Sequence, residues 1–197
     1  MKQKKIIGIT GGVGAGKSSV LAVLKNDFGA KIILADLVAH DLMEPGSLGL
    51  RKVTEALGTS FLTPDGAVDR KALADLIFRD KEALKTMNSI IHPLVWKTMK
   101  EEAEAASENL VIIEAAVFDT APKNFFDELW YVYTTKENRI VRLMENRGYS
   151  REKCEDIIGR QASEEESRAL CSRVIDNNGD ESDIKRQLKE ILDHEIC

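Results

Sequence analysis

The segment Gly11-Gly12-Val13-Gly14-Ala15-Gly16-Lys17-Ser18 leaves the chain few folds to choose from. It fits the spacing glycine, four residues, glycine, lysine, serine or threonine, which binds phosphate only when set between a strand and a helix. The neighbours supply both. Lys5-Ile6-Ile7-Gly8-Ile9-Thr10 is an apolar run suited to a buried strand, and Ser19-Val20-Leu21-Ala22-Val23-Leu24-Lys25 continues with helical periodicity. Glycines there let the backbone turn its N–H groups inward, and these form an anion nest with the helix N-terminus. On this reading Gly12, Val13, Gly14, Ala15, Gly16, Lys17, Ser18 and Ser19 hold the nucleotide phosphates. Lys17 reaches the β- and γ-phosphates, and the Ser18 hydroxyl ligates the Mg2+ that bridges them.

Size and charge narrow the class further. At 197 residues with 43% apolar composition the chain suits one compact domain with room for an inserted helical part. A formal charge of −5 argues against a general nucleic-acid binder, whose affinity rests on many basic contacts to phosphate. Cys154, Cys171 and Cys197 are odd in number and lack metal-ligand spacing, so neither a disulfide framework nor a zinc site is expected. No apolar run approaches the about 18 residues that would span a bilayer. A cytoplasmic protein with no membrane or nucleic-acid partner, monomeric or weakly self-associating, is the expectation.

Buried parallel strands are predicted at 6–10, 31–35, 110–114, 129–134 and 173–176, with helices between them. The first helix spans about 17–27 and stops before Gly29. From Asp36 to Ser107 the pattern is almost wholly helical, broken at Pro45-Gly46, Pro64-Asp65-Gly66 and His92-Pro93. A simple crossover needs one helix, so this stretch reads as a substrate-holding insertion, with a purely structural crossover as the alternative. Further helices are predicted at 136–147, 150–161, 163–171 and 182–195, the third opened by a capping box, Ser163-Glu164-Glu165-Glu166. The fold class is α/β: a five-stranded parallel sheet with helices on both faces, an inserted helical substrate part and a helical lid. The expected divisions are a core of about 1–36, 108–135 and 172–197, an insertion of about 37–107 and a lid of about 136–171.

Several side chains are candidates for chemistry. Asp36 ends the second strand, at the edge where ligands bind in open α/β sheets; it reads equally as a proton acceptor beside the γ-phosphate or as the N-cap of a helix over 37–43. Glu114 closes a strand of four apolar residues, as a carboxylate that orients Mg2+ or its water does, and as a strand-terminal surface glutamate also would. Arginines crowd the region after the fourth strand: Arg139, Arg142, Arg147, Arg151, Arg160, Arg168 and Arg173. Planar forks of this kind neutralise phosphoryl charge, although surface pairing with the many glutamates accounts for them too. Arg147, in the turn Arg147-Gly148-Tyr149-Ser150, is the favoured lid arginine. Pro93 is placed as the first residue of a new helix, which leaves His92 at a break. Asp176-Asn177-Asn178-Gly179 turns near the ligand edge, where the Asn177 amide is a candidate purine contact.

Taken in order, these motifs resemble the dephospho-coenzyme A kinase family from Ile6 to Gly179: the loop, Ala35-Asp36, Glu44-Pro45-Gly46, Ile91-His92-Pro93-Leu94, Arg147-Gly148-Tyr149-Ser150-Arg151-Glu152, Arg160-Gln161, and Val174 to Gly179. The resemblance implies a core like that of nucleotide monophosphate kinases, a helical coenzyme-binding insertion and an arginine-bearing lid. It implies transfer of phosphate from ATP, with Mg2+, to the ribose 3'-hydroxyl of dephospho-CoA. Asp36, Lys17 and Arg147 are then catalytic, with Asp36, His92, Arg139 and Glu114 toward the substrate and Asp36 or Glu114 toward the metal through water. Two departures stand out. Leu34 occupies the place of the family's first aspartate, and Glu114-Ala115-Ala116-Val117-Phe118-Asp119 replaces the Val-Pro-Leu-Leu of many relatives. The alternatives are a nucleoside or nucleotide monophosphate kinase on the same core and a guanine-nucleotide switch, the latter disfavoured because no Asn-Lys-x-Asp segment occurs.

Overall fold

A computed structural model describes residues 4–116, 118 and 120–193. Val117, Asp119, the end of the expected last helix and Cys197 lie outside the described residues. The chain divides into two compact units, one from residues 1–32, 106–118 and 123–197, the other from 33–105 and 119–122.

The sheet is five-stranded: β1 (Lys5–Thr10), β2 (Lys31–Leu34), β3 (Leu110–Glu114), β4 (Glu128–Tyr133) and β5 (Arg173–Asp176), in the order β2-β3-β1-β4-β5. β1 runs parallel to β3 and β4, and β4 parallel to β5. Parallel strands covered on both faces should be apolar throughout, and Val111, Ile112 and Ile113 of β3 are all fully buried. Register decides what meets at the functional edge: Ile9 lies opposite Glu114, Thr10 opposite Tyr131 and Tyr133 opposite Asp176. The last residues of β1, β3, β4 and β5 therefore share one edge.

One core cluster joins Ile7 and Ile9 of β1, Ile112, Trp130, Val132 and Ile175 with two helices. Helix α1 (Lys17–Phe28) supplies Val20, Val23 and Leu24 and ends at Gly29. Helix α9 (Glu181–Asp193) supplies Ile184, Leu188 and Leu192, a stripe at four-residue spacing. Beyond β4 come α6 (Lys136–Arg147), α7 (Arg151–Gly159) and α8 (Glu164–Leu170). The expected capping box is present: Ser163 Oγ accepts from Glu166 N at 3.1 Å, and Glu166 Oε2 accepts from Ser163 N at 2.8 Å. Cys154 is buried and free, and Cys171 is free with its thiol pushed up to about 11 by burial.

In the second unit α2 (Ala35–Asp41), α3 (Leu48–Leu57) and α4 (Arg70–Arg79) pack on the long α5 (Lys81–Ala105). Ser47 caps α3 and Asp69 caps α4 through their side chains. Helix α5 corrects one expectation. Pro93 does not open a new helix but sits inside a continuous one, so His92 is not at a break. The proline removes an N–H bond to the Ser89 carbonyl, at about 3 kcal/mol. Ile91, Val95, Trp96 and Met99 are buried on both sides of it, and each such burial is worth roughly 1.5–3 kcal/mol, so packing outweighs the lost bond. The proline itself is exposed. Among the described residues no helix is long and apolar enough to cross a membrane.

At the N-terminal ends of the strands Glu128 is a hub. It accepts from Lys5 Nζ at 2.9 Å, Trp130 Nε1 at 2.7 Å and Arg173 Nε at 2.7 Å, tying β1, β4 and β5 together. Burial by itself would raise its pKa, but the bonds from Arg173, Trp130 and Lys5 outweigh burial and hold the carboxyl below its ordinary value. A depressed carboxyl stabilises the fold above its unfolded-state pKa and loses that contribution as pH falls through the folded-state value. Glu128→Gln should lower unfolding stability at neutral pH by about 1–3 kcal/mol. In denaturant titrations the gap between wild type and variant should close as pH falls from neutral toward 3; a gap independent of pH would exclude this account.

Candidate active site

The phosphate loop leaves β1 and enters α1, closed by a bond from Ala15 N to Gly12 O at 3.0 Å. Its shape is set from behind. The Ala15 carbonyl accepts from Thr134 Oγ1 at 2.9 Å, Asn177 Nδ2 at 2.7 Å and Arg142 Nη1 at 3.2 Å. The next carbonyl, of Gly16, accepts from Asn177 Nδ2 at 3.2 Å and from Ser19 N at 3.1 Å. In a planar trans peptide the N–H points opposite the C=O. Holding these two carbonyls on the outside of the loop therefore turns the N–H groups of Gly16 and Lys17 the other way, toward a phosphate. Gly16 adopts φ 80°, and a Cβ there would collide with Asn177 Nδ2.

Other elements complete the support. Arg142 Nη2 donates to Asn177 O at 2.8 Å, and Asn177 N donates to Tyr133 O at 2.8 Å. Asn178 Oδ1 accepts from Thr135 N and Asn138 Nδ2, both at 2.9 Å, which braces the turn into α6. Helix α1 is 12 residues long, with no side-chain cap and no acidic residue in its first turn. Its leading N–H groups thus lack a side-chain acceptor and suit an anion.

Lys17 Nζ donates to Gly11 O at 2.8 Å and lies 3.5 Å from Glu114 Oε1, so the loop cation and the β3 carboxylate face each other. Ser18 and Ser19 are exposed in the first turn of α1. A divalent cation fits this donor set: the Ser18 hydroxyl as a direct oxygen ligand, with Glu114 able to hold a metal-bound water.

Arg139 Nε donates to Val13 O at 2.8 Å, and its Nη2 donates to Gln161 Oε1, which also accepts from Val13 N at 3.0 Å. The guanidinium lies over Gly12, where a Cβ would strike it. Desolvation lowers the pKa of Arg139, although Tyr131 opposes the shift; desolvation also raises that of Tyr131.

Three expectations are refined. Arg147, the favoured lid arginine, is exposed at the last turn of α6 and has no hydrogen bond or ion pair among the described residues, whereas Arg139 and Arg142 bond to the loop. Eight residues of helix separate Arg139 from Arg147, about 12 Å along the axis. Asn177, expected toward the purine, is 3% exposed and spends its side-chain donor on the loop carbonyls. Asp36 is exposed in the first turn of α2, which starts at Ala35 with Leu34 as its N-cap and no side-chain cap bond. Asp36 is therefore not the helix cap. Thr134 and Gln161 had no assigned role in the sequence; a threonine closing the fourth strand was the one available signal for the first.

In the second unit an open cavity of about 630 Å³ lies along α5, lined by His92, Pro93, Trp96, Lys97, Lys100 and Pro122 among others. Trp96 Nε1 donates to Thr120 Oγ1 at 3.0 Å, which fixes the indole in its wall. The break in backbone bonding at Pro93 leaves the Ser89 carbonyl without its helical donor beside this cavity.

Known proteins resemble the chain over nearly its whole length. A family described as dephospho-CoA kinase matches residues 5–183. A dephospho-CoA kinase of Geobacter sulfurreducens is 36% identical over 190 residues, covering 94% of this chain and 96% of the relative. A crystal structure from Thermus thermophilus superposes with a TM-score of 0.79 at 31% identity, covering 98% of both chains. The structure of a Campylobacter jejuni dephospho-CoA kinase shares the fold, with a TM-score of 0.63 at 24% identity over 97% of both chains. Matched over nearly its whole length by the family and by a relative of the same size, the chain belongs to the dephospho-CoA kinase family.

Proposed function

We propose that this protein transfers the γ-phosphoryl group of ATP to the ribose 3'-hydroxyl of dephospho-CoA, giving CoA and ADP, the last step of coenzyme A synthesis. The observation that carries the proposal is the loop whose Ala15 and Gly16 carbonyls are held outward, so that adjacent N–H groups are committed to an anion before it arrives. Family membership narrows the acceptor to dephospho-CoA.

The chemistry asks the protein for position and charge. The hydroxyl oxygen attacks phosphorus, the bond to the β–γ bridging oxygen breaks, and the hydroxyl proton goes to Asp36. The loop amides and Lys17 hold the triphosphate, and Lys17 moves from the Gly11 carbonyl onto phosphate oxygens. Ser18 would hold Mg2+ directly, with Glu114 or Asp36 holding its water. When bound, the ion supplies neutralisation of the β- and γ-phosphate charge. Arg139 and Arg142 add positive charge beside the loop. Arg147 closes over the transferring group as α6, α7 and α8 act as a lid, which keeps water from competing with the hydroxyl. The α5 cavity takes the coenzyme arm: the indole and proline faces suit its methyl and methylene groups, and His92 and the free Ser89 carbonyl suit its amides and hydroxyl.

The assay is phosphate transfer from Mg-ATP to dephospho-CoA, read by product mass, beside AMP, adenosine and no-acceptor controls. CoA should form with little transfer to the controls; preferred transfer to AMP or adenosine would overturn the acceptor. Asp36→Asn should lower kcat by roughly a hundredfold or more with the dissociation constant for Mg-ATP little changed. Near-normal turnover in that variant would remove Asp36 as the base. Glu114→Gln should raise the Mg2+ concentration needed for half-maximal velocity by roughly tenfold, the scale seen for partners that act through a bound metal's outer sphere. An unchanged Mg2+ dependence would free Glu114 of any metal role.

A further inference from the structure

Gln161 follows α7 in the chain, and Arg160-Gln161 is a sequence motif to which phosphoryl transfer assigns no task. Its surroundings are unlike those of a surface residue. The side chain is exposed, yet its carbonyl oxygen collects two donors from separate elements, the Val13 amide of the phosphate loop and Nη2 of Arg139 on α6. Neighbouring Arg160 points elsewhere and pairs with Asp156 one turn back on α7. An exposed glutamine gains little by closing two bonds at once, because ordering its long side chain costs about as much as one such bond returns. The arrangement instead fixes the position of something else.

That something is the Arg139 guanidinium. Arg139 has Nε on the Val13 carbonyl and Nη2 on Gln161, while Nη1 has no hydrogen-bond partner among the described residues and lies over Gly12, where the glycine leaves room. Val13 and Gln161 together hold the fork by two of its three nitrogens and present the third to the space above the loop. The Val13 amide matters as well. Its bond to Gln161 and the bond of its carbonyl to Arg139 make the loop, the arginine and the glutamine one closed ring of hydrogen bonds.

We propose that Gln161 is a positioning residue for phosphoryl transfer, which holds Arg139 so that its free Nη1 edge meets the oxygens of the transferring phosphate. The inference rests on reading the loop as the triphosphate site. Gln161 itself touches no reacting atom. Its carbonyl keeps the arginine in one rotamer, and so supplies charge stabilisation that needs no rearrangement at the moment of reaction. The task calls for an uncharged acceptor: a carboxylate there would pair with the guanidinium and cancel the charge that the phosphate needs.

The test is a double-mutant cycle on the full chain with Gln161→Met, which keeps the volume and removes the acceptor, Arg139→Met, and the pair. Gln161→Met should lower kcat roughly tenfold to a hundredfold, the scale of a misplaced catalytic group, with the KM for dephospho-CoA little moved. Arg139→Met should cost at least as much, and the pair no more than Arg139→Met alone, because the glutamine acts only through the arginine. Gln161→Glu should fail to restore turnover although it retains the acceptor. Additive losses, or an unchanged kcat in Gln161→Met with an intact melting temperature, would overturn the proposal. If wild-type protein binds Mg-ATP but transfers nothing to dephospho-CoA, the acceptor assignment fails by itself. The same cycle is then read on Mg-ATP dissociation constants, where a loss from Gln161→Met that vanishes in the Arg139→Met background supports the positioning and an independent loss sinks it.

Discussion

The Ala15 carbonyl is the small group on which the site depends. A glycine-rich loop is flexible by composition, and glycine loses more conformational freedom on folding than any other residue, so such a loop needs outside restraint to hold an anion nest without one present. Thr134, Asn177 and Arg142 supply it from three different elements, all converging on one peptide oxygen. Because C=O and N–H oppose each other across a planar peptide, fixing the back of the loop fixes its front. Electrostatic preorganisation is therefore built here from ordinary neutral hydrogen bonds and one guanidinium, none of which needs to touch the ligand.

Sheet order makes that convergence available. With β3 on one side of β1 and β4 on the other, the chain's course changes direction at β1, and the crevice opens at the C-terminal ends of the strands. Parallel pairing brings Glu114 to the level of Ile9, and the residues after β4 and β5, Thr134 and Asn177, to the back of the loop. Residues far apart in sequence meet because each closes a strand at the same edge.

The same logic separates what the sequence made legible from what it did not. Strands and the helices after β4 are readable within a residue or two, since a buried parallel strand must be apolar throughout and a helix start such as Ser163 carries its own cap. The phosphate loop is readable outright because its chemistry needs fixed spacing. Pro93 misleads, because a local rule about one missing N–H is overridden by the burial of Ile91, Val95, Trp96 and Met99, which is tertiary and invisible to local reading. The arginines divide for a similar reason. Arg139 and Arg142 are three apart and share a face of α6, but that this face turns to the loop is set by Ile140 and Leu143, which pack with Cys154 and with Val13 of the loop itself. Arg147 precedes a plausible hinge glycine, Gly148, and lies five residues of helix past Arg142, at the far end of α6. Asn177 lies in a turn where exposed amides read bases, and only the folded backbone shows that Ala15 and Gly16 claim its donor.

Charge is also distributed by end. At the N-terminal ends of the strands the cations of Lys5 and Arg173 are bound to one carboxylate, Glu128, in a compact knot across three strands. At the C-terminal ends the pattern is reversed: Arg139, Arg142 and Lys17 are held mainly by backbone and amide oxygens, with Glu114, 3.5 Å from Lys17, the one carboxylate among the described residues in an ion pair with them. Carbonyl oxygens position a cation without cancelling it, whereas a carboxylate does both. A polyanion with four negative charges needs cations that are fixed and still charged, and an edge that neutralised them internally would give up that attraction to gain rigidity. Anchoring by neutral acceptors provides both, and it accounts for why a glutamine, rather than one of the chain's many glutamates, faces Arg139.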